Sequence, residues 1–305
     1  MTATFRYPLP SELIEHVTAI CGRRGEEWLR SLPDTIADLE GLWSIRVEEP
    51  FPGAEFNYVA NAIRAGRERV VLKIAPPYER PEIHCEAAYL RVRGGNAAVN
   101  MLAEDAGRRA ILLEYASPGK ALFEHFQGEP LACVDPAIAI LKAILRPPSV
   151  EVGTVQRLDD WFVRFRRYKD TDFPHEPAER ALAIYEDLSQ QPGQTFYLHG
   201  DFHPGNIVTA TREPFLAIDP KGLVGHIGYD IAVFMNNLHW WQKEKPDVER
   251  LLDEAVGKFA SAFGLTQIDV RKWAYASMVI GAWWNFDEMP ELYDNEVALA
   301  DVWRI

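Results

Sequence analysis

Apolar positions recur at helical spacing from the start of the chain. Leu13, Ile14, Val17 and Ile20 form a stripe that opens at Pro10-Ser11 and closes at Gly22. A second helical stretch runs over residues 25–42, with a break predicted at Leu32-Pro33. The period then changes to two, as Trp43, Ile45 and Val47 alternate with polar residues. Residues 56–63 and 70–74 read as strands joined by the turn Arg64-Ala65-Gly66-Arg67. Residues 82–93 return to a helical pattern that stops at Gly94-Gly95, and residues 99–103 and 110–115 predict another strand pair. The first third is therefore a small sheet of about five strands with one helix inserted late.

Ser117-Pro118-Gly119 interrupts the pattern and marks a lobe boundary, dividing the chain into residues 1–116 and 117–305. Beyond it the period is mostly helical. Asp135-Pro136 reads as an N-cap with proline at the first helical position, ahead of the stripe Ile138, Leu141, Ile144 and Leu145. Residues 158–168 and 178–190 predict two more helices. The rhythm then breaks at Thr195-Phe196-Tyr197-Leu198 and resumes only near Asp230. Two short strand-like runs, 205–210 and 214–218, occupy the gap. The remainder is helical through 247–263 and 269–284, and there is no internal repeat.

Composition narrows the class. In 305 residues, 48% are hydrophobic and 25% charged, the balance of a folded globular protein of about two domains. No apolar run approaches the ~18 residues of a membrane helix, and the N-terminus lacks the basic start and apolar stretch of a secretory signal. Three widely spaced cysteines, Cys21, Cys85 and Cys133, fit neither a disulfide framework nor a cysteine-built zinc site, and a cytoplasmic location is expected. Cys85 and Cys133 sit in apolar helical settings, as core residues do. The net charge of −13 disfavours nucleic acid and anionic membranes as partners and suits a cationic small molecule, although it also serves solubility.

The chemistry is concentrated in His199-Gly200-Asp201-Phe202-His203-Pro204-Gly205-Asn206, followed by Ile218-Asp219-Pro220-Lys221-Gly222 and by Tyr229-Asp230. Ionisable residues with Gly and Pro between apolar strand-like runs describe a loop presented by a β-hairpin. Asp201, Asn206 and Asp219 are oxygen donors of the kind that hold Mg²⁺. His199, Asp201 and His203 alternate as a zinc-binding strand face would, but Gly200, Pro204 and Gly205 make the segment a loop. The spacing matches the kinase pattern, in which a loop Asp precedes an Asn by five residues and a second Asp follows after a hairpin.

His-Gly-Asp-x-His-x-x-Asn followed by Ile-Asp resembles the signature of the aminoglycoside phosphotransferase and choline kinase superfamily. The longer string from Ile218 to Gly225, then Tyr229-Asp230-Ile231-Ala232, is similar to the branch containing streptomycin phosphotransferases and hydroxyurea phosphotransferase-like proteins. The chain departs from that branch at His226, where an acidic residue is common. The resemblance implies an α+β, protein kinase-like fold of two lobes, a small β-rich one and a larger helical one. It implies ATP and Mg²⁺ as cofactors and transfer of the γ-phosphoryl to a hydroxyl of a small molecule, an aminoglycoside or a hydroxyurea-like compound. Asp201 would be the catalytic base, and Asn206 and Asp219 would hold the metal. His199 and His203 would orient the loop, and Asp230, otherwise a simple helix cap, would brace it.

A kinase-like loop requires a lysine from a strand interior. Lys73 in Val70-Val71-Leu72-Lys73-Ile74 fits the contact to the α/β-phosphates, the alternative being an edge strand with a solvated lysine. Glu86 matches the branch's motif as its carboxylate partner, with Glu82 one turn earlier as the alternative. The phosphate-covering loop would be residues 52–58, with a single glycine, Gly53. By the same likeness the backbone at Glu114 and Ala116 would meet the adenine. The C-terminal region is rich in tryptophan, as helix packing requires, and acidic at Asp287, Glu288, Glu291, Asp294, Glu296 and Asp301. That run reads equally as a face for a cationic amino sugar or as a solvated surface. Two other functions stand beside this one: a kinase for a sugar or amino alcohol, and a catalytically silent nucleotide-binding regulator, against which the intact set Lys73, Asp201, Asn206 and Asp219 argues.

Overall fold

The computed structural model describes residues 5–79, 82–148, 155–288 and 296–303. The chain divides into two compact units, Met1–Gly95 with Val99–Ala116, and Asn96–Ala98 with Ser117–Ile305.

The first unit begins with α1 (Ser11–Cys21) and α2 (Arg23–Trp43), which meet at Gly22, whose φ is +53°. α2 runs through Pro33, where a break was expected. The proline ring removes one backbone donor, but Leu32, Pro33 and Leu39 bury a continuous face that favours carrying the helix on. Trp43 closes this helix and is not part of the first strand. Then follow β1 (Ile45–Pro50), β2 (Tyr58–Arg64), β3 (Arg69–Ile74), α3 (Glu82–Arg93), β4 (Met101–Asp105) and β5 (Ala110–Glu114). They form one antiparallel sheet in the order β1-β2-β3-β5-β4.

Strand period two sorts this sheet into faces. Ala60 and Ala62 of β2, Val70, Leu72 and Ile74 of β3, and Ala110 and Leu112 of β5 cluster with Leu13, Val17, Leu32 and Leu39 of the helix pair. Lys73 has the opposite parity in β3, beside Ile111 of β5 in the register. The lysine is thereby aimed away from the α1–α2 core.

The second unit starts with β6 (Pro118–Ala121), α4 (Leu122–His125) and α5 (Pro130–Ile144). α5 begins one and a half turns before the Asp135-Pro136 pair, with Pro130 in its first turn and Pro136 inside the helix. Next come β7 (Gln156–Arg157), α6 (Leu158–Phe165), α7 (His175–Leu188), β8 (Thr195–Leu198), β9 (Ile207–Ala210), β10 (Phe215–Ala217) and β11 (Leu223–His226). The unit ends with α8 (Gly228–Gln242), α9 (Val248–Phe263), α10 (Gln267–Glu288) and a 3-10 segment, Glu296–Trp303. Two three-stranded sheets, β10-β9-β6 and β7-β11-β8, sit among the helices. The second was not expected, because β11 is four residues long and contains Gly225. No described helix is long and apolar enough to cross a membrane.

Trp273, Trp283 and Trp303 are fully buried, as expected of a packed helical unit, whereas Trp240 is exposed. His226 belongs to this packing. It is buried, stacks on Trp273 at 5.0 Å between centroids, and accepts the backbone N–H of Gly228 on Nδ1 at 2.9 Å. The departure from the branch pattern at this position is therefore accommodated within the core.

Burial lowers the pKa of His226 to about 4. The unfolded chain then binds a proton at this residue that the folded protein refuses, over the interval from about pH 6.5 down to about pH 4. Stability conferred by the neutral ring is complete above that interval and is lost as pH falls through it. His226→Gln is expected to flatten the acid-side loss of unfolding free energy, measured by urea titration, by up to ~1.4 kcal/mol per pH unit. An unchanged slope would contradict this.

Candidate active site

The predicted site residues fall into a set on each unit. On the sheet unit, Lys73 Nζ lies 2.7 Å from Glu86 Oε2, with both side chains buried. β3 supplies the lysine on the face opposite the α1–α2 core, and α3 supplies the carboxylate. An ion pair with so little solvent gains Coulomb energy but loses hydration, so its net contribution to stability is small. Removing either partner is costly, because the survivor is an uncompensated buried charge. The pair therefore fixes where an ammonium stands more than it stabilises the fold.

The segment between β1 and β2 is held by local bonds, Phe51 N–H to Val59 O at 2.9 Å and Ala54 N–H to Phe51 O at 3.2 Å. At the end of β5, Glu114 donates its N–H to Asn100 O at 2.8 Å and accepts Asn100 N–H and Nδ2–H on its carboxylate, each at 2.9 Å. That arrangement commits its amide and side chain to β4's approach. Ala116 follows two residues on and is half-buried.

On the helical unit, His199, Asp201, His203 and Asn206 occupy the segment from β8 to β9, and Asp219 lies between β10 and β11. The two loops are sewn together through His199. Its carbonyl accepts Lys221 N–H at 2.7 Å and Gly222 N–H at 3.2 Å, and its Nε2 meets Ile218 O at 2.9 Å. Its Nδ1 accepts Asp201 N–H at 3.3 Å. Burial drives its pKa down to about 3, so the ring is neutral, with the proton on Nε2 where the Ile218 carbonyl accepts it.

Asp230, in the first turn of α8, is fully buried and accepts His199 N–H at 2.9 Å and Gly200 N–H at 2.7 Å. It is a loop acceptor inside the helix, not its cap. Burial pushes its pKa up to about 7, against these two donors, which favour the carboxylate. Gly200 has φ +81°, and a Cβ there would lie 2.1 Å from Leu223 Cδ2, so both conformation and space demand glycine.

Asp201 follows with its side chain one-third exposed, and His203 Nε2 lies 3.8 Å from its Oδ1. His203 Nδ1 accepts Gly205 N–H at 3.0 Å. Asn206 donates Nδ2–H to Asp201 O at 3.0 Å, leaving Oδ1 as its acceptor. Asp219 sits in the left-handed region at φ +57°, a local strain typical of functional turns. A zinc site is inconsistent with this geometry, since His199 has both ring nitrogens engaged and His203 has its Nδ1 engaged by backbone. Among the described residues no three His, Cys, Asp or Glu side chains gather to hold a metal. An Asn and an Asp offering hard oxygens fit the other class of site, in which Mg²⁺ takes one or two protein ligands and keeps phosphates and waters.

The structure adds residues that sequence reasoning passed over. Trp241 stands edge-on to His203 at 6.4 Å and against Phe123 at 4.5 Å. In the sequence Trp240-Trp241 reads only as helix packing. Tyr229 is buried, and burial first, then Asp201 and Asp230, raises its hydroxyl pKa; its adjacency to Asp230 was the available signal. Of the acidic C-terminal run, Asp287 pairs with Arg167 at 3.9 Å and Asp301 is exposed. Glu291 and Asp294 lie outside the described residues, as do the side chains of Glu288 and Glu296.

Residues 56–288 match the family model described as aminoglycoside/hydroxyurea antibiotic resistance kinase. The chain is 26% identical over 293 residues to streptomycin 6-kinase of Streptomyces glaucescens, covering 92% of this chain and 91% of that one. It is 26% identical over 309 residues to hydroxyurea phosphotransferase of Kitasatospora aureofaciens, covering 96% and 85%. Among solved structures, aminoglycoside phosphotransferase APH(4)-Ia superposes with a TM-score of 0.61 at 13% identity, covering 89% of this chain and 98% of that one. The α+β kinase-like fold expected from the sequence is thus the fold observed.

Asp230→Ala is expected to leave two buried backbone donors without an acceptor. At about 1–3 kcal/mol per orphaned group, the loss in urea-measured stability should exceed 2 kcal/mol in total. Backbone amide exchange at Gly200 and Asp201 should accelerate at the same time. A stable variant with a protected loop would show that the brace is dispensable.

Proposed function

Because this chain belongs to the aminoglycoside/hydroxyurea antibiotic resistance kinase family and is a small-molecule phosphotransferase, we propose that it moves the γ-phosphoryl of ATP, with Mg²⁺, to a hydroxyl of a cationic amino- or guanidinium-bearing sugar of the streptomycin type. Hydroxyurea is the second acceptor considered, on the likeness to the Kitasatospora enzyme. The observation that carries the reading is the loop geometry. Asp201 projects from a segment whose backbone is fixed by Asp230, His199 and Asn206 together.

In this reading residues 1–116 hold the nucleotide and residues 117–305 hold the acceptor and the base. Lys73, positioned by Glu86, pairs with the α/β-phosphates, and the backbone at Glu114 and Ala116 meets the adenine. The Asp201 carboxylate orients the acceptor hydroxyl and takes its proton as the oxygen–phosphorus bond forms and the bond to the β-phosphate oxygen breaks, releasing ADP. Asn206 Oδ1 and the Asp219 carboxylate would hold Mg²⁺, which when bound neutralises charge on the phosphate oxygens. His203 keeps its ring beside Asp201. The net charge of −13 supports a cationic acceptor, since a negative field around the protein raises the local concentration of cations.

Purified protein is expected to transfer phosphate from ATP to streptomycin, with kcat/KM falling as salt rises. Asp201→Asn should lower kcat by about 10²–10⁴-fold while ATP affinity is retained. Transfer to neither streptomycin nor hydroxyurea, with transfer to an uncharged sugar or amino alcohol, would replace this acceptor assignment. Near-parental turnover by Asp201→Asn would remove the base assignment.

Asp219→Ala should weaken ATP binding in the presence of Mg²⁺ and leave metal-free binding little changed. Calorimetric titration with and without Mg²⁺ measures this. An undiminished Mg²⁺ effect in the variant would take Asp219 out of the metal site.

A further inference from the structure

We propose that α1 is a strut for the phosphate-covering loop, with His16 as a positioning residue for ATP that acts by stacking on Phe56. The inference rests on the nucleotide reading above and concerns a helix outside the residues matched to the family.

Three observations converge on Phe56. Its ring lies 4.7 Å from that of His16, with only 10° between the planes. Its carbonyl accepts the Tyr78 hydroxyl at 2.7 Å, from the stretch between β3 and α3. Its own exposure is 42%, so this is not core packing drawing two rings together. Phe56 is therefore held at both its ring and its backbone, on the segment that leads from Gly53 into β2.

Backbone amides cradle phosphate only when they are pre-arranged, and ordering a loop at the moment of binding subtracts from affinity. This loop contains one glycine, and its two local backbone bonds, Phe51 N–H to Val59 O and Ala54 N–H to Phe51 O, involve none of residues 55–57. The placement of that stretch draws on contacts from outside the loop. α1 can supply it, because Leu13 and Val17 are fully buried in the sheet core and fix the helix as a reference. His16 lies off that buried face, half-exposed, and reaches the loop.

The test is calorimetric titration of ATP with Mg²⁺ into the full-length protein. His16→Ala is expected to weaken binding about fivefold, which is ~1 kcal/mol at 1.4 kcal/mol per tenfold. His16→Phe, which preserves a stacking ring, should bind as the parent does. Phe56→Leu, an exposed change that folding tolerates, should weaken ATP as His16→Ala does. The double variant should be no weaker than either single one, because both remove the same contact. Hydrogen exchange without nucleotide should quicken over residues 54–58 in His16→Ala while α1 and α2 stay protected. Parental affinity in His16→Ala, or additive losses in the double variant, overturns the strut. Loss of protection throughout α1 and α2 also overturns it, by making His16 a folding residue. A parent protein that binds no ATP rejects the nucleotide reading and the strut with it. A parent that binds ATP no tighter than His16→Ala rejects the strut alone.

Discussion

A single carboxylate, that of Asp230, organises the loop that follows β8. Two successive backbone amides, from His199 and Gly200, point into a space from which water is excluded, and Asp230 is the acceptor for both. Without it the chain could not bury that turn. With it, the turn can take the left-handed step at Gly200 that releases Asp201 toward solvent. The arrangement is electrostatically expensive, as the raised pKa of Asp230 indicates.

The sheet unit solves the reverse problem, holding a cation. Lys73 could be solvated on an edge strand, but β3 is flanked by β2 and β5, and the lysine has almost no exposure. The Glu86 carboxylate on α3 compensates that buried ammonium. Both units thus hold a buried charge through a helix-borne carboxylate: Glu86 on α3 meets the Lys73 ammonium, and Asp230 on α8 meets two backbone amides. In the reading proposed above, the Lys73 ammonium fixed in this way would need no reorganisation when phosphate arrives, which is the condition for electrostatic catalysis.

Part of the architecture could be read from period alone, because β1 and β2 alternate and α1 carries a helical stripe, whereas β3 and β5 are nearly continuous buried runs. Reading failed where a local signal competed with burial. Pro33 and Asp135-Pro136 read as breaks or starts, yet α2 and α5 run through them because the apolar faces continue. β11 is too short, and interrupted by Gly225, to register as a strand, although it is the central strand of the sheet β7-β11-β8. At the site, residue types and spacing pointed to the loop. They could not show that His199 bonds with both ring nitrogens, nor that His226 packs against Trp273, since those facts depend on partners distant in sequence. Trp241 beside His203 left no trace in the pattern at all, because a tryptophan on a helix reads the same whether it packs inward or borders a loop.

The engagement of His199 with both loops has a mechanical consequence. Its carbonyl and one ring nitrogen grip the stretch around Ile218, Lys221 and Gly222, while the other ring nitrogen grips the amide of Asp201. The chain on either side of Asp219 is thus fastened to the same residue that fastens Asp201. The placement of both carboxylates is referred to one buried ring and one carbonyl. Loss of the His199 ring would therefore loosen both loops at once, where loss of either carboxylate would leave the other loop's bonds in place.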